Sequence, residues 1–176
     1  MIHKTRQKLC LQYAMWTLAA SLSSQFQFIR GELYTEARQL LDALEMDTFG
    51  GPVNGVGSGS ASNSSSMSSS PTSGIEVPGP KGGIEQVQAW LLLSIYEFMS
   101  DDYQRGLVSA GRAFRLVQLM RLHEIDRRPS TNCQGDWIDI ESTRRTFWLA
   151  YTIDRFTSVN DELPLTFNEH EVSTTA

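Results

Sequence analysis

Residues 136–159 read DWIDIESTRRTFWLAYTIDRFTSV, and this stretch decides the fold of the chain. Its apolar side chains recur at helical spacing, which predicts one long amphipathic helix. A helix face with this many aromatic rings must be covered by other helices, so the stretch predicts an all-α bundle. The predicted apolar stripe comprises Ile140, Phe147, Tyr151 and Val159, and Trp148 and Phe156 widen it.

Charged residues mark the start of this helix and accompany its apolar stripe. Asp136 is the predicted N-cap, and Asp139 and Glu141 place negative charge in the first turn, where the helix dipole favours it. An isolated buried charge costs several kcal/mol, so charges beside the stripe should be paired. Ion pairs and hydrogen bonds to loop carbonyls are therefore predicted for Arg144, Arg145, Asp154 and Arg155.

Four segments of the chain resemble one protein family in the same order. The run RRTFWLAYTIDRF, followed by LPLTFNEHEV, is similar to the middle homology region of fungal binuclear zinc-cluster transcription factors. The upstream runs LQYAMWTLAA, QAWLLLSIYEF and GRAFRLVQLMRLH also resemble this family. The resemblance covers nearly the whole chain outside a Ser/Gly-rich stretch. The family-motif positions, with an expected structural or regulatory role, are Arg144, Arg145, Phe147, Trp148, Asp154, Arg155 and Pro164.

The function of the chain is implied by this resemblance, because the sequence contains no catalytic motif that would indicate one. It implies a nuclear regulatory domain of a transcription regulator that controls a metabolic or secondary-metabolite gene cluster. It also implies a protein partner, as a homodimer or as a heterodimer with a zinc-cluster factor, and it leaves a small-molecule effector open. Two alternatives remain: a protein that heterodimerises with a full-length factor and modulates it, and a truncated gene product without function.

Charge and cysteine content argue against DNA recognition by this chain itself. The net charge is -5, whereas general affinity for nucleic acid normally requires a basic face. Cys10 and Cys133 are too few for the binuclear zinc cluster, which uses six thiolates in the family. We therefore predict no autonomous sequence-specific DNA binding. Two reduced structural thiols are favoured over a disulfide between them.

The composition divides the chain into three parts. Residues 1–49 are predicted as a helical pair, residues 50–83 as a disordered Ser/Gly/Pro-rich insertion, and residues 84–176 as the remaining core helices. The family's domain continues further, so a C-terminal truncation is expected. The other predicted helices are Thr5–Ile29, Gly31–Glu45 with a turn at Gly31, Ile84–Met99, and one with Asp101 as N-cap that ends near His123.

None of the candidate catalytic, metal-binding or membrane-spanning patterns in the sequence is complete. His123 and Glu124 lack the second histidine of a zinc-protease motif, because Arg127 occupies its position. Residues 169–171 read Glu-His-Glu, but nothing else converges on them. No phosphate-binding loop or nucleophile elbow appears, so we predict no enzyme, cofactor or metal. Residues 9–22 mimic a secretory signal, but polar residues interrupt the run, and no stretch is long enough to span a membrane.

A locally basic zone leaves two interpretations. A phosphate-binding surface is one, but the arginines are not interleaved with aromatic side chains as in a nucleic-acid platform. Pairing with the abundant acidic residues is therefore favoured. The zone comprises Arg112, Arg115, Arg121, Arg127 and Arg128.

Overall fold

The structure is a computed structural model, and it describes residues 2–49, 83–127 and 137–168. This part of the chain is all-α and contains no strand, which confirms the predicted fold class. Two short 3-10 helices, Gln27–Ile29 and Leu122–Arg127, accompany the α-helices. The α-helices are α1 (Ile2–Leu22), α2 (Arg30–Phe49), α3 (Ile84–Met99), α4 (Tyr103–Leu119) and α5 (Trp137–Asp161).

Helix α3 lies at the centre of the bundle and contacts each of the other four α-helices. Its sequence is apolar on nearly all sides, so several neighbours are needed to remove that surface from water. Val87, Trp90, Leu91 and Leu93 are completely buried. The predicted boundaries of this helix are confirmed at both ends.

Helices α1 and α2 pack against each other, but their junction differs from the prediction. Helix α1 ends at Leu22 instead of continuing to Ile29. Turn-type backbone bonds follow its last turn, in which the N–H of Ser23 donates to the Ala20 carbonyl at 3.3 Å and the N–H of Phe26 donates to the Ser23 carbonyl at 3.2 Å. Gly31 is not the turn residue, because α2 already begins at Arg30.

The turn between α3 and α4 is one residue longer than predicted. Asp101 is not the N-cap, because Asp102 occupies that position and makes no side-chain capping bond. Asp101 instead adopts a left-handed conformation with φ of 59°. The backbone N–H groups of Ser100 and Asp102 both donate to the Glu97 carbonyl, at 3.1 and 3.2 Å. Helix α4 then ends at Leu119, four residues before the predicted end.

Helix α5 confirms the predicted element but not every member of its apolar stripe. Phe147 is buried, whereas Val159 is 81% exposed. Three successive steps of four residues along a helix rotate by about 120° from the starting direction, so Val159 leaves the face of Phe147. The predicted cap Asp136, the predicted disordered insertion, the segment around Cys133 and the acidic C-terminal turn lie outside the described residues, apart from Gly83 and Asn168 at their edges.

Candidate interaction and regulatory site

Asp154, one of the family-motif positions, bonds to the segment that follows α5. Its carboxylate is 2% exposed and points from α5 towards residues 162–168, here called the return segment. Both carboxylate oxygens accept the Thr166 backbone N–H at 3.1 Å, and Oδ2 also accepts the N–H of Phe167 at 3.1 Å. The buried charge is therefore stabilised by backbone donors.

Arg155 bonds to the same segment from the neighbouring position. Its Nη2 donates to the Phe167 carbonyl at 3.4 Å, and its guanidinium lies 4.7 Å from the centre of the Tyr151 ring. Gln118 of α4 adds a donor, because its side-chain amide lies 3.3 Å from the Thr166 carbonyl. The adjacent residues Asp154 and Arg155 thus bond to backbone N–H groups and to a backbone carbonyl of the return segment, respectively.

Phe167 anchors the return segment in the core. Its buried ring makes edge-to-face contacts with Phe114 of α4 and Phe147 of α5, with centroid distances of 5.4 and 5.9 Å. Pro164 lies in the same segment, is exposed, and has no backbone N–H to continue the helix. Four of the seven motif positions therefore lie in or near one junction: Phe147, Asp154, Arg155 and Pro164.

The three remaining motif residues lie on α5 outside this junction: Trp148 is partly exposed, and Arg144 and Arg145 lie in the turn before Phe147. Arg144 and Arg145 both donate to Glu141, at 2.7 and 2.8 Å, within the same helix. The hydrogen bonds from Arg145 and then Arg144 lower the pKa of the Glu141 carboxyl below its usual value. Arg145 is mostly exposed and does not reach the Asp154 junction, so the structure does not bring all the motif residues together.

A second polar cluster, which sequence reasoning missed, links α2, α3 and α4. Glu97 is almost fully buried on α3 and accepts hydrogen bonds from Arg38 at 3.1 Å and from Tyr34 at 2.6 Å. The same Nη1 of Arg38 donates to the Ser109 hydroxyl of α4 at 2.8 Å. Burial, and then the bond to Glu97, raise the pKa of Tyr34. The available signal was Glu97 itself, a charge near the C-terminal end of a helix whose other acidic residue, Glu85, lies in the first turn.

Trp90 extends this cluster and accounts for part of the basic zone. The guanidinium groups of Arg38 and Arg112 lie 4.9 and 4.7 Å from its ring centre. Arg112 also forms ion pairs with Asp42 at 2.8 Å and Glu45 at 3.4 Å, so it bridges α4 to α2. Arg112 therefore follows the favoured interpretation, in which the arginines of this zone pair with acidic residues.

Of the other arginines in the basic zone, one forms an ion pair and another bonds to a neutral side chain. Arg121 forms an ion pair with Glu124 at 3.5 Å, whereas Arg115 donates to the neutral amide oxygen of Gln118 at 3.2 Å. The side chains of Arg127 and Arg128 lie outside the described residues. His123 lies 3.7 Å from the same Glu124, so its near neighbour is a carboxylate. Within residues 2–49, 83–127 and 137–168, no three potential metal ligands cluster together.

The outer face of α5 exposes several large apolar side chains. They are Trp148, Leu149, Phe156 and Val159. A groove of about 370 Å³ lies beside this face, between α1 and α5, with α3 as its floor. Its apolar lining comprises Leu11, Met15, Leu92 and Leu149. Exposed apolar surface of this kind is typical of interaction sites.

A smaller apolar groove lies on the α1–α2 pair. It has a volume of about 240 Å³, and its lining includes Trp16, Phe26, Ile29 and Leu33. No polar cluster described above lies in it, so it offers contact area without a specific hydrogen-bonding pattern. Among the helices that the structure describes, none is sufficiently long and apolar to cross a membrane.

Comparison with known proteins identifies a matching family and several similar fungal proteins. Residues 4–175 match the model of the fungal specific transcription factor domain. The chain is 44% identical to the pigment biosynthesis transcriptional activator pigB of Monascus ruber, over 98% of this chain and 27% of that protein. It is 42% identical to the transcription factor tazR of Aspergillus terreus, over 94% of this chain and 22% of that protein.

A third relative is also named as a transcriptional activator. The citrinin biosynthesis transcriptional activator mrl3 of Monascus ruber is 38% identical over 97% of this chain and 28% of that protein. The chain thus spans about a quarter of the length of these relatives. No solved structure matches it. These relatives are named as transcription factors or transcriptional activators, and the chain belongs to the fungal specific transcription factor domain family.

Proposed function

We propose that this chain is the protein-interaction and regulatory part of a transcription regulator of a secondary-metabolite gene cluster. The observation that carries the proposal is the match over residues 4–175, together with relatives named as activators of pigment and citrinin biosynthesis. Such regulators act in the nucleus, which is the location we propose here.

The charge distribution supports a role that does not include DNA recognition by the chain itself. The net charge is -5, and Arg112, Arg121 and Arg145 each lie in an ion pair with a carboxylate. DNA binding depends on cations that are available to replace the counterions of the phosphates. The exposed apolar face of α5 instead offers a surface suited to protein contacts.

Deleting the coding sequence from the genome tests the proposed function. We expect the transcripts of one secondary-metabolite gene cluster to fall, and reintroducing the unchanged sequence should restore them. RNA sequencing under producing conditions provides the measurement. Unchanged transcripts from every such cluster in the deletion strain would refute the proposal.

A second candidate function is that of a modulator which binds a full-length zinc-cluster factor. The exposed face of α5 favours this alternative, because it could pair with the corresponding helix of a relative. Co-purification of the tagged chain with a zinc-cluster protein would support it, and a Phe156→Glu variant should lose that protein. Recovery of the same protein with the variant would contradict the assignment of this surface.

A further inference from the structure

The groove between α1 and α5 differs from the apolar groove on the α1–α2 pair, because polar side chains line part of it. Gln88, Ser142, Arg145 and Thr146 lie in its lining beside the four apolar residues. Arg145 is the one charged residue among the described residues that line it. Sites for small molecules combine mostly apolar walls with a few polar groups that fix orientation, and they usually occupy about 300–1,000 Å³. The groove, at about 370 Å³, is suited to a small ligand.

The three helices around the groove run in the same direction, which separates its polar end from its apolar end. Gln7, near the start of α1, lies beside Gly83, the residue directly before α3. Tyr103 begins the helix that follows α3, and its hydroxyl donates to Asp161 at the end of α5. The starts of α1 and α3 are therefore neighbours, as are the ends of α3 and α5. The polar end of the groove comprises Gln88, Ser142 and Arg145, and the apolar end comprises Met15, Leu92 and Leu149.

The hydroxyl group of Ser142 keeps a donor available to the groove. Its Oγ accepts a hydrogen bond from the Gln88 side-chain amide at 3.1 Å, and the same amide nitrogen donates to the Thr146 hydroxyl at 2.9 Å. Thr146 in turn donates to the Ser142 carbonyl at 2.8 Å, so its hydroxyl both accepts and donates. Nothing in the described part of the chain accepts the Ser142 hydroxyl hydrogen, which is therefore available to a ligand.

Arg145 provides a second donor on the same side of α5. It lies three residues after Ser142, and residues with this spacing are neighbours on a helix surface. Its Nε donates to Glu141 at 2.8 Å, but the side chain is still 79% exposed. Within residues 2–49, 83–127 and 137–168, neither Nη group of Arg145 bonds to an acceptor. Because a guanidinium has N–H donors on all its nitrogens, the ion pair leaves its outer edge available.

We propose that this groove binds a small organic carboxylic acid in its ionised form. The carboxylate lies between the Ser142 hydroxyl and the Arg145 guanidinium, and the apolar body of the ligand extends along the groove towards Leu149. Arginine forms its stronger hydrogen bonds with carboxylates, whereas an ammonium group would be repelled and a neutral group would lack the charge-assisted bond. One partly engaged arginine orients a single carboxylate, whereas DNA binding requires contacts to several phosphates.

Titrating the full chain with two acids and their neutral amides tests the proposal. The probes are naphthoate and naphthamide, with an aromatic body, and octanoate and octanamide, with an aliphatic body. We expect at least one acid to bind in isothermal titration calorimetry and to raise the melting temperature, with at least tenfold higher affinity than its amide. Absence of binding by both acids at millimolar concentration would overturn the proposal, as would equal affinity for each acid and its amide.

Substitutions at the two ends of the groove test the orientation of the ligand. Arg145→Gln should remove the preference for the acid over the amide, whereas Arg115→Gln, an exposed arginine on α4, should keep it. Retained preference in Arg145→Gln would refute the assigned carboxylate position. Circular dichroism verifies that each variant is folded.

At the apolar end, Leu149→Glu places a second negative charge in the groove and should abolish binding of the acid. Leu149 is 37% exposed, so the substitution does not bury the new charge in the core. Val108→Glu, an exposed apolar position on α4, is the control and should bind like wild type. Unchanged binding by Leu149→Glu would place the ligand elsewhere and contradict the proposal.

A ligand in this groove goes beyond the proposed function, since it would bind whether or not the chain regulates transcription. If an acid binds as expected and deleting the gene changes no cluster transcript, the ligand site holds and the proposed function fails. If the deletion lowers cluster transcripts but the purified chain binds neither acid, the proposed function holds and the ligand site fails.

Discussion

At the residue scale, the junction after α5 depends on a buried carboxylate. Asp154 is surrounded by backbone donors from the return segment, and Arg155 bonds to a carbonyl of the same segment. The sequence could predict that these charges must be paired, because they flank an aromatic stripe. It could not identify the donors, because every residue except proline has a backbone N–H group, and the residue type does not show which of these groups lies near Asp154.

Replacing this carboxylate with its neutral isostere should weaken the junction. Asp154→Asn keeps the shape but removes the charge, and its amide group directs N–H groups towards other donors. We expect the free energy of unfolding to fall by about 1–3 kcal/mol, the usual cost of a buried donor left unsatisfied. Urea unfolding measures the change. Glu36→Gln, on the surface of α2, is the matched control and should differ little from wild type.

Cys10 should behave as an inert structural thiol. It is completely buried, donates to the Gln7 carbonyl at 3.0 Å, and has its pKa raised by burial to about 12. Because the folded pKa lies above the unfolded value, the stability linked to this thiol is fully present below about pH 9 and is lost as the pH rises towards 12. At neutral pH the thiol therefore stays protonated and shielded.

Thiol labelling measures this directly. In a Cys133→Ser variant at pH 7.5, the native protein should react with a disulfide reagent at least a hundredfold more slowly than the urea-unfolded chain, because only the thiolate attacks. Equal rates in the two states would show that Cys10 is accessible and would contradict its position in the core.

At the element scale, local pattern predicts some helix boundaries much better than others. Both ends of α3 were predictable, because its apolar run is flanked by Gly83 and by the polar pair Ser100-Asp101. The end of α1 was not, because apolar residues continue beyond Leu22, and the backbone leaves the helix there through turn-type bonds such as that from the Ser23 N–H to the Ala20 carbonyl. Residues 162–168 were read as a Pro-containing segment, but their packing of Phe167 into the core is a tertiary effect.

Two glycines of α4 should respond in opposite ways to the same substitution. A Cβ at Gly106 would lie 2.5 Å from a ring carbon of Phe98, whereas a Cβ at Gly111 would meet nothing within 4 Å. Gly106→Ala should therefore destabilise the fold by about 1–3 kcal/mol through overpacking. Gly111→Ala should stabilise it by up to about 1 kcal/mol, since alanine favours helix. Thermal unfolding of the pair provides the comparison; a stabilising Gly106→Ala would contradict the close packing of α3 against α4.

At the scale of the whole molecule, the fold class followed from periodicity and the family from the order of its segments. The polar cluster of Arg38, Glu97 and Trp90 did not follow, because its members come from separate helices that only the packing brings together. The regulatory role of the motif residues stays a prediction, as does the division into parts at residues 50 and 83. Among these residues, Asp154 and Arg155 hold the return segment through hydrogen bonds, whereas Arg144 and Arg145 pair with Glu141.

We infer that this chain regulates transcription through protein contacts and does not itself read DNA sequence. Fluorescence anisotropy with labelled promoter fragments of the regulated cluster, at about 0.15 M salt and with excess unrelated competitor DNA, tests this claim most directly. We predict no binding that survives the competitor for the full chain at micromolar concentration. Tight, competitor-resistant binding to one promoter sequence would contradict the account.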